Sequence, residues 1–84
     1  MDMFMITFRS ITPAQRSERI LRQNGIRCAL QRTPRWMEEQ GCGYCVRFRH
    51  WDAGKVTGML QRNQIPFRRL YGQTTEGSME EIVL

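Results

Sequence analysis

Cys42 and Cys45 stand three apart in "GCGYCVRFRH", residues 41–50, with Gly41 and Gly43 on either side of the first thiol. Four readings fit such a pair: a dithiol redox couple, half of a metal site, a nucleophilic or carrier thiol on a loop, or two small side chains used for packing. A thioredoxin-type C-x-x-C leads into a helix, with its first cysteine at the helix N-terminus. Here "VRFRH" follows, which alternates as a strand does, so the likeness to the redox motif is one of spacing only. Structural zinc takes about four ligands, usually supplied by a second Cys or His pair. The chain has three cysteines and one histidine, His50, which lies at the far end of that strand. No metal site is expected within one chain. The carrier thiol and the packing role both stay open on spacing alone.

The elements that must position these thiols are legible. Residues 4–9, "FMITFR", put Phe4, Ile6 and Phe8 on one face and Met5, Thr7 and Arg9 on the other, a half-buried strand. In "SITPAQRSERILRQNG", Thr12 suits the N-cap, Pro13 the first helical position and Gly25 the stop. Ala14, Ser17, Ile20 and Leu21 form the apolar stripe of this first helix. "IRCALQR" alternates again, with Ile26, Cys28 and Leu30 directed to the core. "TPRWMEEQGCG" contains Pro34, Gly41 and Gly43 and reads as a loop. "YCVRFRH" is the third strand, with Tyr44, Val46 and Phe48 inward and Cys45, Arg47 and Arg49 outward. Asp52 caps a second helix, "AGKVTGMLQRNQ", and "IPFRRLYG" is the fourth strand. The two halves echo each other at a spacing of about 40 residues. "ILRQNGI" and "MLQRNQI" align, as do Phe4 with Tyr44 and Ile6 with Val46.

The order β-α-β-β-α-β predicts an α+β, ferredoxin-like domain over residues 1–72. Its four-stranded antiparallel sheet would carry both helices on one face, have strands 1 and 3 in the centre, and leave the other face open to solvent or a partner. Residues 73–84 read as an acidic C-terminal tail, flexible or folded back onto basic surface. In this topology the loop bearing Cys42 lies at the end of the sheet where the first helix begins, next to Arg9, Ser10 and Thr12. A helix N-terminus offers unpaired N–H groups and a positive dipole end, which favour a thiolate or a bound anion. Arg9, Arg35 and Arg47 add positive charge.

The chain's 84 residues carry 13 basic and 8 acidic side chains, a net charge of +5. All the basic residues but Lys55 are arginine, and all lie within residues 1–72, whereas Glu76, Glu80 and Glu81 occupy the tail. Such a surface is either solubilising or made for an anion, a nucleic acid or an acidic partner. No apolar run is long enough to span a membrane, and residues 1–5 lack the basic and apolar regions of a signal peptide. Free thiols in a reducing cytoplasm are therefore expected.

Taken in order, "TFRSITPAQRSERILRQNGI", "TPR", "CGYCVRF" and "QRNQIPFRRLY" resemble the selenium/sulfur (Se/S) carrier protein-like family of small bacterial proteins. The resemblance covers roughly residues 4–72. It implies a non-catalytic carrier that holds sulfur or selenium on a cysteine, without a cofactor, and serves donor and acceptor enzymes as monomer or homodimer. The family's Cys-Gly falls on Cys42-Gly43, its Ser/Thr loop on Ser10 and Thr12, and its Pro-Arg on Pro34-Arg35. Two departures stand out. Glu39, Gln40 and Gly41 replace small polar residues, and Cys45 replaces a small apolar one, as a resolving thiol or as packing. Two other uses of the outer sheet face compete with carriage. One is RNA binding through Arg27, Arg47, Arg49 and Arg69, although no aromatic stands on the central strands and only Phe67 or Tyr71 would offer stacking. The other is dimerisation. Trp36 and Trp51 read as local packing anchors.

Overall fold

The computed structural model describes residues 3–34, 43–50 and 52–82. Alternation of aromatic and β-branched residues sets the strands, and 3.6-residue stripes set the helices. The elements are β1 (Met3–Phe8), α1 (Ile11–Gln23), β2 (Cys28–Arg32), β3 (Tyr44–Arg49), α2 (Ala53–Arg62), β4 (Leu70–Gln73) and β5 (Met79–Ile82). The strands form one sheet in the order β2-β3-β1-β4-β5. Every neighbouring pair is antiparallel. The architecture is α+β, with two helices and a five-stranded antiparallel sheet.

Register places all the inward residues on one face. Phe4 lies opposite Phe48, Ile6 opposite Val46 and Phe8 opposite Tyr44. Ala14 and Leu21 from α1 and Val56 and Leu60 from α2 join Phe4, Ile6, Phe8, Val46, Phe48 and Leu70 in a single buried cluster. Both helices therefore cover the same face, as the sequence pattern requires. Phe4 and Phe48 stack with ring centroids 5.5 Å apart, so the cross-strand pair adds to the area it buries.

The internal echo has a physical meaning at the helix ends. In α1, Ile26 N–H donates to the Leu21 carbonyl at 2.9 Å, and Asn24 Nδ2 donates to the Ile20 carbonyl at 2.8 Å. In α2, Ile65 N–H donates to the Leu60 carbonyl at 3.0 Å, and Asn63 Nδ2 donates to the Met59 carbonyl at 2.8 Å. The same C-terminal cap is thus built twice, each time closing with an isoleucine that enters the core. The residue between must turn left-handed. Gly25 does so at φ 75°, but Gln64 sits at φ 57°. A side chain there costs about 1 kcal/mol relative to glycine. Gln64→Gly is expected to raise stability by about 0.5–1 kcal/mol, net of the entropy glycine adds to the unfolded chain. A denaturant midpoint that falls would contradict this account of the cap.

Four expectations are corrected. The sheet has five strands, because residues 79–82, read as part of a tail, pair with β4. A tight turn makes this possible: Thr74 N–H donates to the Ser78 carbonyl at 2.6 Å, and Gly77 takes φ 91°. Glu81 then reaches Arg69 at 3.5 Å, which is the folding of acidic chain onto the molecule's own basic surface. Second, α1 begins at Ile11 with Ser10 as N-cap, so Thr12 lies inside the first turn. Pro13 is tolerated there because first-turn N–H groups have no intrahelical acceptor to lose. Third, the fourth strand begins at Leu70 and not at Ile65, since Ile65 closes the α2 cap and Pro66 has no N–H to donate.

The fourth correction concerns the face away from the helices. Its centre is not open. Met5, Cys45 and Tyr71 form a second small cluster there, at 6%, 0% and 7% exposure, with Met79 of β5 packed against it. Arg47 and Arg49, toward the β2 side, are the exposed residues of this face on β3.

Candidate functional site

Cys42, Arg35, Trp36 and Trp51 lie outside the described residues. The frame that flanks Cys42 in sequence is described and begins at Gly43. Its carbonyl accepts from Thr33 N–H at 3.1 Å, which continues the β2–β3 ladder by one residue. A Cβ at position 43 would lie 3.1 Å from the Phe8 carbonyl oxygen and 3.3 Å from Thr33 Oγ1. A side chain here would crowd the close approach of β1 and the chain end of β2, and glycine avoids this.

Phe8 leads directly through Arg9 to Ser10, the N-cap of α1. Gly43 and the start of α1 are thus at the same end of the sheet. Ser10 is extended, at φ −136° and ψ 167°, and its hydroxyl makes no capping bond. No acidic residue occupies the first turn of α1. Arg9, Ser10 and Thr12 are all exposed. Among the described residues, the start of α1 therefore offers helix N–H groups, a hydroxyl and a guanidinium, with no acidic residue in its first turn.

Thr33 is a residue that pattern reading passed over. It is buried, and among the described residues its Oγ1 is the buried side-chain polar atom that lacks a hydrogen-bond partner. It stands beside Gly43. The only signal for it in the sequence was its place in "TPR".

Arg47 does not join this group. It lies four residues beyond Gly43 along β3, roughly 13 Å at the usual rise of a strand. It is exposed on the face away from the helices, opposite Met5 on one side and Ala29 on the other. Phe67 packs against the main core and Tyr71 is buried, so neither offers a ring for stacking.

Cys45 lies opposite Thr7 and Gln31 in the middle of the sheet and has no exposed surface. Burial pushes its thiol up to about 11, against smaller opposing effects of a hydrogen bond with Gln31 and the charge of Arg47. Cys28 is only partly buried, at the margin of the core. Its thiol is also raised, again chiefly by burial. The unfolded chain releases these protons near the ordinary thiol value of 9.0, and the folded chain holds the Cys45 proton until about 11. Proton loss then favours the unfolded state, so stability is full below pH 9 and falls as pH rises toward 11. Cys45→Ala is expected to flatten that alkaline fall in denaturant titrations between pH 8 and pH 10.5. An unchanged slope would show that Cys45 titrates as an ordinary thiol.

No group of three or more His, Cys, Asp or Glu side chains placed to hold a metal occurs among the described residues. No helix among them is long and apolar enough to cross a membrane.

A family model described as "Putative Se/S carrier protein-like" matches residues 3–72. The chain belongs to this family. The family match contains β1 through α2 complete, and it ends within β4. The added strand β5 falls outside the family span. Cys42, Gly43, Ser10, Thr12 and Thr33 all fall inside it. No curated protein and no solved structure matches the chain.

Proposed function

We propose that this chain carries a sulfur or selenium atom on Cys42 and hands it from a donor enzyme to an acceptor enzyme. The observation that carries the reading is family membership across residues 3–72. The frame supports it. Gly43, the residue after Cys42, abuts the Phe8 carbonyl two residues before the α1 N-cap, at the end that favours a thiolate. Arg9, Ser10, Thr12 and, through the "TPR" loop, Arg35 are read as the groups that face the cargo.

The transfer needs no bound cofactor. The Cys42 thiolate attacks the outer sulfur of a donor persulfide. The donor's S–S bond breaks, a new S–S bond forms on Cys42, and the donor leaves as a thiolate. Electrons balance without an external oxidant. A selenium atom passes in the same way as a selenopersulfide. The protein is then a substrate of its partners and not itself an enzyme, working in a reducing cytoplasm. Full burial and a raised proton affinity argue that Cys45 is packing and not a resolving thiol. We take residues 1–72 as a ferredoxin-like carrier unit, with residues 73–84 as an acidic addition that extends the sheet.

Alkylation of the native protein before loading tests this. Cys42 blocked, with Cys45 shielded, is expected to leave no acceptor for sulfur or selenium. Undiminished loading after Cys42 is blocked would sink the reading.

A further inference from the structure

Arg27, Arg47 and Arg49 gather at the β2–β3 side of the sheet, on the face away from the helices. Arg49 N–H donates to the Arg27 carbonyl at 3.3 Å, so these two residues are direct cross-strand neighbours. Arg47 follows two residues along, opposite Ala29. The small Ala29 side chain leaves a shallow hollow of about 360 Å³ bordered by Met3 and the three arginines. Like charges set directly opposite each other on a sheet are destabilising. Among the described carboxylates, Glu18 pairs with Arg22, Glu81 pairs with Arg69, and Asp52 caps α2. Arg27 and Arg47 have no carboxylate at ion-pair distance among the described residues.

The neighbouring edge decides how a partner approaches. β2 is an edge strand, and two of its outward backbone groups are already taken by α1. Leu30 N–H donates to Glu18 Oε2 at 3.1 Å, and Arg22 donates to the Cys28 carbonyl at 3.4 Å. Glu18 and Arg22 are themselves paired at 3.3 Å. This staple from α1 hinders the addition of a further strand, as edges commonly are protected. The side chains on the face are then the more accessible surface. Among the described residues this face offers no ring for base stacking, since Tyr71 is buried and Phe67 belongs to the core.

We infer that the Arg27–Arg47–Arg49 face is a docking surface for an acidic polypeptide segment of a partner protein. Carboxylates of an extended acidic segment suit the guanidinium forks of Arg27 and Arg47. The inference names the partner chemistry for the carrier reading, but it rests on the arginines and not on Cys42.

The test is a titration of the isotopically labelled full chain with a synthetic peptide of alternating Glu and Thr, followed by amide chemical shifts. A uridine oligonucleotide of equal charge is titrated in parallel. Shifts are expected at residues 27–29 and 47–49. Arg27→Gln and Arg47→Gln are each expected to weaken peptide binding about fivefold, while Arg19→Gln on α1 leaves it unchanged. Cys42→Ser is expected to bind the peptide as the wild type does, so a failure of docking and a failure of carriage are read separately. Equal weakening by Arg19→Gln would overturn the inference in favour of diffuse charge. Tighter binding of the oligonucleotide would overturn it in favour of a nucleic-acid face.

Discussion

Cys42→Ser is expected to abolish loading altogether, while Cys45→Ser and Cys28→Ser keep it. The effect is all-or-none because a serine hydroxyl is not ionised near neutral pH and does not form the chalcogen bond that a thiolate forms. The other two thiols are poor substitutes for a physical reason. Cys45 has no exposed surface, its neighbours Thr7 and Gln31 lie on the flanking strands, and its proton is held to about 11. Cys28 is partly accessible, but burial raises it too. The measurement is intact mass after anaerobic incubation with a cysteine desulfurase and its substrate, L-cysteine for sulfur or L-selenocysteine for selenium, so that the desulfurase persulfide or selenopersulfide is the donor. Equal loss of the adduct in Cys45→Ser would make the two thiols a working pair and would return Cys45 to the chemistry.

Phe48→Ala is expected to cost about 3–5 kcal/mol. Phe48 is 1% exposed, sits on interior strand β3, stacks on Phe4 and contacts the cluster that holds both helices to the sheet. Small domains have total stabilities near the lower end of about 5–15 kcal/mol. The variant should therefore melt roughly 15–30 °C lower or fail to fold at physiological temperature. Thermal unfolding followed by circular dichroism measures it. A loss below about 1 kcal/mol would mean that the two sides of the sheet collapse independently of this aromatic pair.

Much of the frame was legible because two signals agreed at each step. In β1 and β3 the alternation of Phe4, Ile6, Phe8 and of Tyr44, Val46, Phe48 matched the face that the helix stripes needed. Asp52 caps α2 through Lys55 N–H at 3.2 Å, as its position before "AGKV" implies. The misses arose where one signal masked another. The strand in residues 79–82 was hidden by its two glutamates, whose charge reads as a solvated tail until Arg69 is seen beside Glu81. The start of α1 was misplaced because Thr12-Pro13 is a strong capping pattern and Ser10 caps with backbone geometry alone. The buried Met5–Cys45–Tyr71 cluster was not foreseen, since its members are far apart in sequence and alternate with arginines. The Glu18–Arg22 staple over β2 is a tertiary bond between a helix and a strand edge, and no local pattern announces it. Of the site, Gly43 was read as a loop residue beside Cys42, and its place in the structure is a close approach to Phe8. Thr33 escaped notice because a hydroxyl's missing partner is a property of the fold and not of the sequence.

The central claim is that the chalcogen is held by Cys42 and by no other residue. Trypsin should release residues 36–47 as one peptide containing both Cys42 and Cys45. Fragmentation of that peptide from the loaded wild-type protein, under non-reducing conditions, assigns the extra atom to one sulfur. The expected result is an extra sulfur or selenium on Cys42, with Cys45 unmodified. An atom found on Cys45, or a wild-type peptide that carries none, would contradict the account.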